Sequence, residues 1–265
     1  MYTATSFLSN KNKEELRGEF LLSLKKGTNK VIKAVLFDLD GTLLPLDQNE
    51  FIGAYFKGLI RALLPLGRDP KELEGAVWNG TYAMIKNNGE KNNEAAFFDY
   101  FTTACPDVDM AAFRDLADNY YRTEYQKLIA LTRPTPLARE AVSLARKGGR
   151  KVVLATNPLF PEIAQRTRIR FAGLEPEDFD FVTAYESDVY AKPNPKYYLS
   201  VCERLGISPE ECLMIGNDER EDMYAASSVG MSCYLIDDCA LRSEEHPWTG
   251  EHGTFAELVE KLKSL

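Results

Sequence analysis

The sequence predicts an α/β protein with a doubly wound parallel sheet core and an inserted helical domain, and three observations carry that expectation. From Thr135 onward, short apolar runs rich in β-branched residues alternate with amphipathic stretches, the pattern of strands joined by helical crossovers. A further run of the same kind, Val31-Ile32-Lys33-Ala34-Val35-Leu36-Phe37, lies well upstream and reads as a buried strand because apolar residues nearly fill it. Between the two, residues 47–133 show no strand signal.

Residues 1–30 are polar apart from KEELRGEFLLSLKKG, where Leu16, Phe20, Leu21 and Leu24 recur at helical spacing before Gly27; this extension reads as an appended helix or a disordered tail. The strand ending at Phe37 follows. In residues 47–133, NEFIGAYFKGLIRALLPLG sets Phe51, Ile52, Tyr55, Phe56, Leu59, Ile60 and Leu63 on one helical stripe. Asp47 with Glu50 resembles a capping box opening it. KELEGAVWNGTYAMIKNNG, NEAAFFDYFTTAC and DMAAFRDLADNYYRTEYQKL read as three more helices, and Arg133-Pro134-Thr135-Pro136 as the returning linker. Beyond it, helix TPLAREAVSLARKGG, strand KVVLATN, helix FPEIAQRTRIRFAG and strand FDFVTAY lead to helix PKYYLSVCERLG. Strand ECLMIGND, helix REDMYAASSVG, strand MSCYLID and helix FAELVEKLKSL complete the chain. The expected division is an extension over 1–30, a core from 31–46 and 134–265, and a helical domain over 47–133. Five strands are expected.

Composition narrows the function. At 265 residues, 45% hydrophobic and 27% charged, the chain is long enough for one large domain with an insert. A formal net charge of −8 argues against a nucleic-acid binder that neutralises backbone phosphates over a broad surface. Five cysteines without C-x-x-C spacing argue against a disulfide framework or a cysteine zinc site, and fit a reducing cytoplasm. His246 and His252, the only histidines, leave a histidine metal site or a Ser-His-Asp triad poorly supplied. Apolar runs fall short of a membrane span, and no signal peptide is evident.

Four features stand in order at or just past strand ends. They are Asp38-Leu39-Asp40-Gly41-Thr42, Thr156-Asn157, Lys192-Pro193, and Gly216-Asn217-Asp218 with Asp222. Acids at the C-terminal end of a central strand occupy the place where open α/β sheets bind ligands. Gly41 tolerates positive φ and allows a sharp turn there. Taken alone, Asp38–Gly41 also suits a solvated turn, Thr156-Asn157 a helix N-cap, and a loop lysine is ordinarily solvated.

As an ordered set they resemble the haloacid dehalogenase (HAD) superfamily in its Mg²⁺-dependent phosphatase branch, with a Rossmann-like core. The resemblance covers about residues 31–240, and FDLDGTL is its most specific part. The insert is similar in position and helical character to that family's C1-type cap.

The resemblance implies a phosphomonoester hydrolase acting on a small phosphorylated metabolite. Asp38 would attack phosphorus to give an aspartyl-phosphate, and Asp40 would protonate the leaving alcohol and then activate water. Each close carboxylate–phosphate charge pair costs about 4 kcal/mol at 4 Å and an effective dielectric near 20, so a cation is needed. Hard oxygen ligands point to Mg²⁺. Its implied ligands are the Asp38 carboxylate, the Asp40 carbonyl and Asp218, with Asn217 standing where the family commonly has an acid and Asp222 holding a metal-bound water. Lys192 would lend a second positive charge, from a loop that its flanking prolines stiffen. Thr156, Asn157 and Gly41 would bind the phosphoryl group. Glu219 and Glu221 read as solvated acids at a helix start, and most of the insert's aromatics as core. The alternatives are a phosphomutase on a sugar phosphate and a catalytically silent regulatory protein; a metal-independent dehalogenase fits less well because Asp40 is present. Substrate identity and oligomeric state are left open by the sequence.

Overall fold

A computed structural model describes residues 31–265; the amphipathic stretch expected as a helix within 1–30 lies outside the described residues. The first strand, β1 (Ala34–Phe37), is wholly buried, and its side chains alternate between two cores. Val35 and Phe37 point into one apolar cluster, Ala34 and Leu36 into the other. That period of two is what a strand in the middle of a two-faced sheet requires.

Four helices fill the segment that follows: α1 (Gln48–Leu63), α2 (Pro70–Ile85), α3 (Asn93–Ala104) and α4 (Met110–Arg122). Each starts on an Asp or Asn whose side chain accepts from backbone N–H groups of the first turn, namely Asp47, Asp69, Asn92 and Asp109. Such caps each contribute about 1 kcal/mol. At Asp47 the bond comes from the Glu50 N–H at 2.9 Å, the first half of the expected capping box. The chain enters and leaves this segment side by side: Leu46 bridges Thr132 antiparallel, and the Arg133 N–H donates to the Pro45 carbonyl at 2.8 Å.

Aromatic packing ties α1 and α3 to α4. Phe97, Phe101 and Phe113 form one group and Tyr55, Tyr120, Tyr121 and Tyr125 another, with the Tyr55 and Tyr121 hydroxyls 2.9 Å apart. The expectation of core holds for Tyr55, Phe56, Phe97, Phe101, Tyr120 and Tyr121, whereas Trp78, Tyr82 and Tyr100 are exposed.

After α5 (Leu137–Arg146) come β2 (Lys151–Leu154), α6 (Glu162–Phe171), β3 (Phe181–Val182), α7 (Pro195–Leu205) and β4 (Cys212–Gly216). The chain closes with α8 (Ala225–Ser228), β5 (Ser232–Ile236), β6 (His252–Gly253) and α9 (Phe255–Leu262). All strand pairs are parallel, in the order β3-β2-β1-β4-β5-β6, a Rossmann-like sheet. Residues of α5, α6 and α9 join the cluster on one face, and residues of α7 and α8 the cluster on the other.

Two expectations change. The sheet has a sixth strand, β6, whose two residues are too short for any periodicity to register. The helix expected over REDMYAASSVG opens instead as a wide turn over Glu219–Tyr224, in which the Met223 N–H reaches the Asp218 carbonyl five residues back. Such widened turns recur where a side chain must be re-aimed at a functional site.

Close approach of α1 and α4 depends on Gly58, where an added Cβ would lie 2.6 Å from Tyr120 Oη. Alanine ordinarily stabilises a helix interior relative to glycine by roughly 0.5–1 kcal/mol. Here overpacking reverses the sign, so Gly58→Ala is expected to lower unfolding free energy by about 1–2 kcal/mol in denaturant titration. A gain in stability would contradict the packing.

Candidate active site

The sheet builds the site at its C-terminal edge. β1 sits between β2 and β4 with Phe37 level with Leu154 and Ile215, so the residues just past these three strands converge. Asp38 continues the ladder, its N–H donating to the Ile215 carbonyl at 2.9 Å. Asp38, Asp40, Thr156, Asn157, Asn217, Asp218 and Asp222 all line one cavity of about 140 Å³. Gln48, Phe51 and Ile52 from the start of the helical segment, with Leu46 just before it and Leu159 and Phe160, supply its mostly apolar wall.

Lys192 lies beneath this cavity with 0% exposure. Its ammonium donates to Asp38 Oδ1 at 2.9 Å and to Asp222 Oδ1 at 2.6 Å. Burial alone would depress the lysine's pKa, but Asp222 and Asp38 override it and hold it well above its ordinary value. Burial pushes the Asp38 carboxyl up to about 7, with the Asp222 and Asp40 charges adding to the rise and Lys192 opposing it. Asp38 Oδ2 takes only a long 3.4 Å contact from Thr42 Oγ1 among the described residues. One oxygen of Asp38 is therefore fixed and the other lightly held.

Asp222 acts on the loop. Its Oδ2 accepts from the Asn217 and Asp218 N–H groups, both at 3.1 Å, while Oδ1 meets Lys192. The wide turn after β4 carries Asp222 back under its own loop to do this. Asn217 directs Nδ2 to the Cys239 carbonyl at 2.8 Å, and its Oδ1 accepts from Thr42 at 3.1 Å. Gly41, at φ 85°, packs on that amide so closely that a Cβ would sit 2.3 Å from Asn217 Nδ2. Asp218 caps the turn, its Oδ1 accepting from the Arg220 and Glu221 N–H groups at 2.8 and 2.7 Å. Thr156 is buried, and its carbonyl accepts from Thr183 and Tyr197 hydroxyls at 2.6 and 2.9 Å. Asn157 Oδ1 accepts from the Lys192 N–H at 3.2 Å.

Two acids depart from expectation. Glu219 is not solvated: it is 3% exposed and paired with Arg242 at 2.9 Å, with the Ser243 N–H donating to its other oxygen. Glu221 faces the cavity, accepting from Asn157 Nδ2 at 2.9 Å. Burial, followed by the charge of Asp218, pushes its carboxyl up to about 7. Both sit on the wide turn, which a regular helical reading turns outward.

Arg168 of α6 was not foreseen. It is 1% exposed, lines the cavity, pairs with Asp40 Oδ2 and lies over the Phe160 ring at 4.0 Å. Burial raises the Asp40 carboxyl, and the Arg168 charge, then Lys192, oppose the rise. Its sequence signal was the four-residue step from Ala164, which sets Arg168 on the buried face of α6.

Among the described residues, no three His, Cys, Asp or Glu side chains form a ready-made metal cage. The donor set still suits Mg²⁺, which takes one or two carboxylates and keeps several waters. Every candidate donor is a hard oxygen. Five carboxylates (Asp38, Asp40, Asp218, Glu221 and Asp222) gather here against the two cations Lys192 and Arg168. Added positive charge would ease the entry of an anion here.

Fold and site together define a hydrolase of the α/β class with a carboxylate at the tip of its central strand. The profile of the haloacid dehalogenase-like hydrolases matches residues 32–230. A phosphoglycolate phosphatase of Nitrosospira multiformis is 30% identical over 209 residues, spanning 77% of this chain and 83% of the relative. A glyceraldehyde 3-phosphate phosphatase of Methanopyrus kandleri is 28% identical over 76% of this chain and 82% of its own. A HAD phosphatase from Thermococcus onnurineus superposes with a TM-score of 0.55 at 25% identity, covering 87% of this chain and 98% of the other. The L-2-haloacid dehalogenase of Xanthobacter autotrophicus shares the fold at 18% identity, with a TM-score of 0.52 over 89% of this chain and all (100%) of the other. The chain belongs to the haloacid dehalogenase-like hydrolase family, and within that family it is a phosphatase.

Removing one member of a buried ion cluster leaves a charge uncompensated. Lys192→Met is therefore expected to lower unfolding free energy by about 3–5 kcal/mol in denaturant titration. A change below about 1 kcal/mol would contradict the buried ammonium.

Proposed function

We propose that this protein is a Mg²⁺-dependent phosphomonoester hydrolase that acts on a small phosphorylated metabolite through a phosphoryl group held on Asp38. The single observation that carries the reading is the Asp38 carboxylate, with Oδ1 tethered by Lys192 and Oδ2 lightly held beside the cavity. Residues 47–133 are its C1-type cap, standing over a core of 31–46 and 134–265. Free cysteines suit a reducing cytoplasm, and no described helix is long and apolar enough to cross a membrane.

In the first half-reaction Asp38 Oδ2 bonds to phosphorus as the ester P–O bond breaks, and the Asp40 carboxyl gives its proton to the departing oxygen. In the second, Asp40 takes a proton from water as that water's oxygen attacks phosphorus, releasing phosphate and restoring the Asp38 carboxylate. Lys192 keeps Asp38 oriented through both. Thr156 and Asn157 supply donors toward the phosphoryl oxygens. Asp38, the Asp40 carbonyl, Asn217 Oδ1 and Asp218 would hold Mg²⁺, which supplies positive charge for the phosphoryl oxygens. Asp222, with both oxygens engaged, keeps the loop in place.

Substrate size follows from the cavity. At about 30 Å³ per water, the cavity of about 140 Å³ has room for roughly five waters, a volume that suits a phosphoryl group with a leaving group of a few carbons. The named relatives act on phosphoglycolate and glyceraldehyde 3-phosphate, and substrates of that size are proposed here.

With Mg²⁺ present, the purified protein is expected to release phosphate from small phosphate monoesters. Asp38→Asn is expected to reduce turnover by at least about 10³-fold, in line with the loss of a covalent nucleophile. Full turnover in that variant, or turnover undiminished by chelation, would contradict the proposal.

A further inference from the structure

Asp40 and Arg168 form a second ion pair beside the one at Lys192, and the pair is built asymmetrically. Asp40 gives Oδ2 to Arg168, while its Oδ1 is buried without any hydrogen-bond partner. On the arginine, one terminal nitrogen serves Asp40, while Nε and Nη2 are buried and unpartnered. An unsatisfied buried polar atom costs roughly 1–3 kcal/mol, more when charged. Two such atoms on one guanidinium are not accounted for by stability. Apolar packing of similar volume would often serve the fold as well or better.

The guanidinium is also held on its flat side. Its central carbon lies 4.0 Å from the Phe160 ring centre, and Phe160 packs in turn on Tyr55 of α1 at 4.9 Å between centres. A chain of contacts therefore runs from Tyr55 of the helical segment through the tilted Phe160 ring to Arg168 and ends on Asp40. Among the described residues, Arg168 is the only side chain hydrogen-bonded to the Asp40 carboxylate.

We propose that Arg168 is the positioning residue for Asp40: by pairing with Oδ2 from a guanidinium seated over Phe160, it fixes the orientation in which the carboxyl exchanges a proton with the leaving group. This inference rests on the proposed role of Asp40 as the proton donor to the leaving oxygen. A carboxyl free to rotate about its χ angles would hold its proton in the productive direction only part of the time. Small misplacements of a catalytic group reduce rates steeply. Lysine cannot replace arginine in this task, because an ammonium is a point charge without a planar fork and does not stack on a ring in the same way.

The role can be separated from a structural one by the leaving group. An aryl phosphate such as 4-nitrophenyl phosphate expels a stable phenolate that needs little protonation; an alkyl phosphate expels a strongly basic alkoxide that needs a proton. kcat/KM reports the first half-reaction, in which that proton is delivered. Arg168→Lys keeps the positive charge and is expected to lower kcat/KM for ethyl phosphate by about 30–100-fold, at or just below the low end of the roughly 10²–10⁴-fold that general acid catalysis contributes, because the acid itself is retained. For 4-nitrophenyl phosphate the expected loss is about 5-fold or less, again because little protonation is required. The loss on the alkyl ester should lie in kcat, with KM changing about 3-fold or less. Asp40→Asn should show the same dependence on leaving group more strongly, while Asp38→Asn should be inactive on both esters.

Equal losses on the two esters in Arg168→Lys, or a loss confined to KM, would overturn the inference while leaving the proposed function standing. An Asp40→Asn variant that treats both esters alike would overturn the role of Asp40, and the inference with it. If Arg168→Lys fails to fold, Phe160→Leu carries the test by removing the ring under the guanidinium while keeping an apolar side chain in the cavity wall, a change that both esters meet equally. A several-fold fall in the alkyl-to-aryl ratio of kcat/KM supports the inference, and an unchanged ratio overturns it.

Discussion

The structure around the site depends on one buried ammonium. Lys192 has no exposure to solvent, yet its charge is retained because two carboxylates from distant parts of the chain, Asp38 and Asp222, meet it at 2.9 and 2.6 Å. A charge in that position without partners would carry a penalty of several kcal/mol. The tip of β1, the loop after β4 and the loop carrying Lys192 are thereby tied to one point. Remove it, and like charges face each other at the centre of the cavity.

Local features serve that junction. The wide turn after β4 brings Asp222 back beneath Asn217 and Asp218, so that one carboxylate both partners Lys192 and fixes two backbone N–H groups. Gly41 lets the chain turn directly against Asn217, a place with no room for a Cβ. The parallel sheet sets these segments level with one another, and the short bridge between Leu46 and Thr132 brings the helical segment's two ends together near the same edge. In the proposed mechanism, chemistry and scaffold thus meet on the Asp38 oxygen that Lys192 does not hold.

Much of this was legible in the sequence, for identifiable reasons. Ala34–Phe37 and Cys212–Gly216 are apolar throughout, and that alone marks central strands. Asp38, Asp40, Thr156 and Asp218 fell just past strand ends, where parallel sheets converge, and Lys192 followed in order from the loop before α7. Glu219, Glu221 and Arg168 were misread or missed because their burial depends on tertiary partners. Glu219 is covered by Arg242, far along the chain; Glu221 is turned inward by a widened helical turn; Arg168 is neutralised by Asp40 in another element. A charged residue within a helix is solvated by default, and only a partner delivered by the fold reverses that. β6 escaped notice because two residues carry no pattern.

The central claim is that the oxygen of Asp38 left free by Lys192 receives a phosphoryl group. The most direct measurement is acid quenching within the first turnover of a radiolabelled phosphate ester, followed by peptide mapping of the protein. The account predicts an acyl-phosphate label, labile to hydroxylamine, on the peptide that contains Asp38. Rapid phosphate release with no label on that peptide, or with label on a different side chain, would contradict it.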